Sequence, residues 1–289
     1  MPRGGLDDAE GATVPPGLAV FDSHVHLFPA GVFEAIWRWF DANAWPVRYR
    51  LHAEEVIAFM KARGVKRFCA LHYAHKPGIA AGLNRFVWAL SRSHPEIVPL
   101  ATVYPGEPDA QAVIEYALGE LGMRGVKLHC HVQRMAADDP RLEFVYRHCT
   151  MAQVPVVIHA GREPSSSAYG VDTRALCAAA QIERVLRRHP RLNVVVPHLG
   201  ADEFDDYARL LGQYGNLWLD TTMAIADYFP GAAPASLFPG MADRMLYGTD
   251  FPNLPYAWDR ELHRLVAAVP DEAVQRKVLY DNAARLFGD

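Results

Sequence analysis

Two histidines separated by one residue, His24 and His26, close the apolar run that begins at Leu18 and passes through Phe21-Asp-Ser-His-Val-His-Leu. Side chains at i and i+2 of a strand share a face, so a strand here sets two imidazoles side by side. Such a pair can chelate one borderline divalent metal such as zinc, with the strand fixing the relation of the rings. The competing reading puts one ring in solvent and the other in a core, and a motif this short does not choose between them. Groups at equivalent places elsewhere bear on the choice. Lys127 and His129, with His131 following, end one apolar run; His159, His198 and Asp250 end three others. Each can bind a metal or move a proton. His72, His75 and Arg162 are weaker candidates.

These residues need elements that carry them to one place. Short apolar runs at 67–73, 97–104, 125–131, 154–160, 192–198, 216–222 and 244–250 follow the first one and read as strands. Between them, helical spacing marks 53–63, 82–93, 110–121, 141–152, 173–188 and 202–214, and 271–287 closes the chain with Asp271 as N-cap and Gly288 as stop. Eight strands alternating with helices predict an α/β fold of the (β/α)8 TIM-barrel type, with a C-terminal helix and an extended first β/α loop over 28–51. That loop carries Phe33, Trp37, Trp39, Phe40, Trp45 and Tyr49, and reads either as core or as a pocket wall. No Gly-x-Gly-x-x-Gly follows a strand, which removes the main support for a dinucleotide-binding sheet. In a closed barrel the carboxyl ends of the strands converge at one mouth, and all the candidate groups stand at such ends.

With 289 residues, 51% of them hydrophobic, the chain can fill one large core. Residues 1–17, rich in Gly, Pro and acidic side chains, read as a loose tail without a signal-peptide core, and 18–289 as a single domain. The net charge of -4 and the lack of basic runs speak against nucleic acid. No stretch approaches the roughly 20 apolar residues of a membrane span. The cysteines, Cys69, Cys130, Cys149 and Cys177, show no paired spacing, and they read as buried thiols of a cytoplasmic protein. The expected partner is a small-molecule substrate, with homo-oligomerisation left open.

The ordered landmarks Phe21-Asp-Ser-His-Val-His, Gly125-Val-Lys-Leu-His, Pro155-Val-Val-Ile-His-Ala-Gly, Pro197-His-Leu-Gly and Tyr247-Gly-Thr-Asp-Phe-Pro resemble the amidohydrolase superfamily, in particular its amidohydrolase-2 branch. The resemblance runs to Asp281-Asn-Ala-Ala-Arg-Leu-Phe. It implies that His24, His26, His159 and Asp250 hold one divalent ion, expected to be zinc, with His198 and Asp250 handling the proton of an activated water. His198 equally suits a second-metal ligand. Three readings of Lys127 stand open: a carboxylated bridge between two metals, a cation for a substrate carboxylate, or half of a structural ion pair. With His129, His131 and Arg162 it forms the expected substrate-binding group. The expected activity is hydrolysis of an amide, lactone or related bond in a small anionic substrate. Non-oxidative decarboxylation of an aromatic or unsaturated acid is the rival. A barrel that only binds is a third reading, and the complete ligand set argues against it.

Overall fold

The computed structural model describes residues 13–228 and 240–288, so the first twelve residues of the expected tail and the link bearing Pro230, Pro234 and Pro239 lie outside the described residues. Val14, within that expected tail, is buried and donates its N–H to the carbonyl of Arg63. Eight parallel strands form the centre: β1 (Phe21–His26), β2 (Arg67–Leu71), β3 (Ile97–Pro99), β4 (Val126–His129), β5 (Val156–His159), β6 (Val194–Val196), β7 (Leu217–Asp220) and β8 (Met245–Leu246). One ladder runs β1-β2-β3 and the other β4-β5-β6-β7-β8. Parallel bridges Ala101↔Val126 and Val25↔Phe251 join the two ladders at both seams. Ser23 N–H donates to Tyr247, His26 N–H to Phe251 and Asp250 N–H to His24 across the second seam, which closes the ring.

The strands are buried on both faces, as an all-parallel sheet requires. Their residues alternate accordingly. Phe68, Ala70, Val156 and Ile158 pack in the layer shared with the helices, whereas Cys69, Leu71, Val157, Val195 and Trp218 fill a separate inner cluster. Ala283 and Phe287 of the last helix join the inner cluster, and Arg67, which opens β2, and Arg124, just before β4, donate to the carbonyls of Gly288 and Phe287. The C-terminal helix thus plugs the end where the strands begin. The period-2 rule then puts Lys127, His129, His159 and Asp220 on the inner face, at the opposite end.

Several expected elements differ in detail. The segment 28–51 is not all loop: Ala30–Asn43 is a helix burying Phe33 and Trp37, one turn apart. The strand expected to reach His131 stops at His129, because Cys130–Gln133 turns into a short helix. The helix expected over 173–188 breaks at Cys177 and Ala178 into Thr173–Leu176 and Ala179–Arg188. An unforeseen helix, Arg260–Ala268, follows β8. The closing helix contains a π turn, Lys277–Asp281, beside which the carbonyl of Val278 accepts from Tyr247 N–H.

Gly248 marks where the seam is tightest. A Cβ there would lie 2.3 Å from Thr222 Oγ1 and 2.9 Å from His24 Cβ. Overpacking of this kind costs about 1–3 kcal/mol. Gly248→Ala is therefore expected to lower the urea midpoint correspondingly, and an unchanged midpoint would show that the seam has slack.

Candidate metal centre

His24 and His26 project from β1 into the barrel mouth, and what each ring does at Nδ1 fixes what it offers at Nε2. His24 Nδ1 meets Asp220 Oδ2 at 2.9 Å, and His26 Nδ1 meets the carbonyl of Leu71 at 3.3 Å. Both partners are acceptors, so a ring with one proton carries it on Nδ1 and turns an Nε2 lone pair inward. Those two lone pairs converge on one carboxylate oxygen, Asp250 Oδ1, at 3.2 Å and 3.1 Å. Three acceptors thus meet with no proton among them. A divalent cation fits such a set, and two imidazoles with a carboxylate suit zinc or a similar borderline ion.

Burial sets the charges around this trio. It pushes His24 down to about 3, aided by the Lys127 ammonium, so His24 stays neutral. Burial also pulls Lys127 down to about 8 against the charges of Asp220 and Asp250; its Nζ stands 3.5 Å from His24 Nε2. Asp250 is buried with one oxygen against both rings, and its carboxyl is held well below the usual range, so it is the anion of the trio.

His159 ends β5 but does not join the trio. Its Nδ1 faces His198 Nε2 at 3.0 Å, and its ring stacks on His129 at 4.1 Å. His198 follows β6 in a turn with φ 59°; its Nδ1 meets the carbonyl of Thr222 at 3.0 Å and its backbone N–H donates to Asp220 Oδ1. Burial lowers its proton affinity below the ordinary histidine value, against the charge of Asp250.

A cavity of about 660 Å³ opens over these groups. His24, His26, Lys127, His129, His159, His198 and Asp250 all line it, and its walls include Trp39, Phe40, Trp45, Tyr73 and Tyr169. The aromatic segment after β1 is thereby a pocket wall. Two other candidates stand behind the wall. His131 is buried with Nε2 at 2.8 Å from the carbonyl of Gly161, and Arg162 forks onto Asp202 with two contacts of 3.0 Å. His72 braces Asn84, and His75 is exposed. The four cysteines are free and buried, as expected. Among the described residues no helix is long and apolar enough to cross a membrane.

Asp220 is a residue of the candidate site that the strand-end pattern of the sequence did not single out. It ends β7 in Leu-Trp-Leu-Asp, the same apolar-then-polar pattern that flags the other strands. It accepts from His24 and from the backbone N–H groups of His198 and Thr222.

The amidohydrolase family model, Amidohydro_2, matches residues 21–288, and the chain belongs to that family of metal-dependent enzymes. Among solved structures, an uncharacterised TIM-barrel protein from Bordetella bronchiseptica superposes with a TM-score of 0.71 at 22% identity, covering 93% of this chain and 98% of that one. A probable 2-pyrone-4,6-dicarboxylic acid hydrolase from Acinetobacter baumannii, with citric acid bound, gives 0.62 at 17% identity over 94% and 100%. The 5-carboxyvanillate decarboxylase of Novosphingobium aromaticivorans, complexed with manganese and 4-hydroxy-3-methoxy-5-nitrobenzoic acid, gives 0.67 at 15% identity over 97% and 99%. At these identities the likeness is one of fold. No curated protein matches the chain.

A carboxylate behind a metal-ligating histidine holds its tautomer, and losing it typically weakens metal binding roughly 10- to 100-fold. Asp220→Asn should keep the fold, by circular dichroism, and weaken Zn²⁺ binding on that scale in a chelator competition. Unchanged affinity would remove Asp220 from the centre.

Proposed function

We propose that the protein is a metal-dependent hydrolase of a small anionic organic substrate, with His24, His26 and Asp250 holding one divalent ion, zinc by ligand chemistry. A bound ion would acidify a water molecule and polarise a substrate carbonyl. The observation that carries hydrolysis over its rival is the tautomer of His198. Its Nδ1 faces a carbonyl and must donate, so Nε2 is a lone pair at rest. His198 is thereby set as a base, ready to take a proton from water and later return it to the leaving group. Decarboxylation needs a proton delivered to carbon, which this resting form does not carry.

Lys127 and His129 line the cavity below its aromatic walls and suit a substrate carboxylate, with Lys127 unmodified. His131 supports His129 from behind, with ring centres 5.5 Å apart. Arg162 acts through Asp202, whose side chain lines the cavity. The four-ligand set that the sequence resemblance implies includes His159; the reading here keeps it in the site as the donor to His198 Nε2.

The second reading, decarboxylation, is favoured by the six aromatic residues around the cavity, Phe204 among them, which suit the ring of an aromatic acid. A screen of lactones, amides and aromatic acids separates the two. Turnover of a lactone or amide is expected, whereas carbon dioxide released from an aromatic acid, with neither of the others consumed, would make the rival correct.

Two variants test the roles. His24→Ala with His26→Ala should fold and lose the ion of this centre by elemental analysis, together with activity; full metal content would overturn the assignment. A positioned acid or base is worth roughly 10²- to 10⁴-fold in rate, so His198→Ala is expected to lose activity on that scale while keeping its metal. Loss of metal in His198→Ala would recast His198 as a ligand.

A further inference from the structure

Two of the four thiols are neighbours. Cys130 opens the short helix after β4, Cys177 caps the end of Thr173–Leu176, and these two helices pack against each other. The thiols of Cys130 and Cys177 hydrogen-bond to one another, and the Cys177 thiol also meets the ring of His131. Both cysteines are 1% exposed. Cys69 and Cys149 are buried as well, and burial pushes their thiols up.

His131 is set as a base for this pair. Its Nε2 faces the carbonyl of Gly161 at 2.8 Å, so a ring with one proton carries it there and is oriented by that bond. Nδ1 is then a lone pair, buried and without a hydrogen-bond partner among the described residues. A proton passed from the Cys177 sulfur to that nitrogen satisfies the acceptor and leaves a thiolate beside an imidazolium, the arrangement that activates a cysteine. Contact with Cys130 first, and with His131 after it, holds the Cys177 thiol down to about 6 against its burial, whereas Cys130 is pushed up. Cys177 is thereby the nucleophile, and Cys130 is the thiol that keeps its proton.

We infer that Cys177, Cys130 and His131 form a thiol redox centre, in which hydrogen peroxide or another small hydroperoxide joins the two sulfurs as a disulfide. The Cys177 thiolate attacks a peroxide oxygen: an S–O bond forms, the O–O bond breaks, and the departing hydroxide takes the proton held on His131 and leaves as water. Cys130 then attacks the sulfur of the sulfenic acid; an S–S bond forms, and the hydroxyl leaves with the proton of Cys130 as a second water. The sulfurs give up two electrons and the peroxide takes them. Between Arg162 and Cys177 the chain holds only the short helices Ser167–Tyr169 and Thr173–Leu176, so local opening admits an oxidant of this size. The bond ties the turn that follows His129 to the stretch that brings Tyr169 and Arg174 to the cavity. It does not depend on which reaction the protein catalyses.

The test is a thiol count on the reduced full-length protein, exposed to a modest excess of hydrogen peroxide, quenched in acid and unfolded. Four free thiols are expected to fall to two and to return with dithiothreitol. A tryptic map without reductant should show Cys130 linked to Cys177. In Cys130→Ser the second step is blocked, and dimedone should capture a sulfenic acid at Cys177. His131→Asn should slow the loss of thiols roughly tenfold, as a lowered thiol returns toward its ordinary proton affinity. Four thiols retained by the wild type, or a link through Cys69 or Cys149, overturns the inference, and a His131→Asn variant that oxidises as fast as wild type removes His131 from the centre. Should a variant fail to fold, the wild-type map alone decides, since it reads the pair directly.

Discussion

The backbone N–H of Asp250 donates to the carbonyl of His24 at 2.9 Å, and this bond ties the end of the chain's last strand to its first. β8 has only two residues, Met245 and Leu246, in its ladder. Closure of the barrel therefore rests on hydrogen bonds made beyond β8, by Tyr247, Asp250 and Phe251. The same residues hold the candidate centre. Because His24 and Asp250 are bonded through their backbones, their side chains meet without either loop having to be ordered independently. Barrel closure and the assembly of the trio are one event, which is why the side chain missing from Gly248 matters on both counts.

Three buried aspartates near this seam show how the surroundings sort one residue type into different roles. Burial drives Asp22 up to about 7, and its oxygens accept from Thr249 Oγ1 and the backbone N–H groups of His24 and Thr249. It braces the strand ends. Asp220 is just as buried, yet the ring of His24 and its contact to the backbone of Thr222 carry it below the ordinary value. It stays ionised and orients two histidines at once, His24 through the ring and His198 through the backbone. Asp250 alone of the three turns an oxygen toward a cluster of lone pairs and lines the cavity. Of the three, Asp250 is the one placed where a cation could reach it from the cavity.

The fold was legible because parallel strands buried on both faces are short unbroken apolar runs, and helices between them keep a 3.6-residue period. What was lost is local. Ala30–Asn43 carries Phe33, Trp37 and Phe40 at helical spacing, but its position after the His-x-His pair made a loop the more natural reading. Arg260–Ala268 carries apolar Leu262, Leu265 and Val266 at the same period, but over only nine residues. His131 was placed on the strand face with Lys127 and His129, and nothing in Leu-His-Cys-His-Val announces that the chain turns helical at Cys130. In the site, the strand-end rule points to His24, His26, Lys127, His129, His159, His198 and Asp250, all of which line the cavity, and Asp220 at the end of β7 fits the same rule. Partner choice is another matter. Whether His159 turns to His26 or to His129 depends on ring rotations set by contacts far apart in sequence, Thr222 among them, and no local pattern carries that.

Strain at the mouth bears on how firmly those rotations are held. His198, Leu199, Ala201, Met223 and Asp250 are non-glycine residues with φ between 51° and 73°, and all lie just past the ends of β6, β7 and β8. Such backbone costs on the order of 1–3 kcal/mol at each residue and persists only where its surroundings over-determine it. Here they do. Gly200 lies under the ring of Tyr207 so closely that no Cβ would fit, and Gly161 approaches Ala201 in the same way. The turn after β6 is thereby clamped between β5 and the helix Phe204–Gln213, and with it the backbone that sets His198. A ring held by its main chain, with Nδ1 fixed on the carbonyl of Thr222, keeps Nε2 aimed along one line, toward His159 Nδ1.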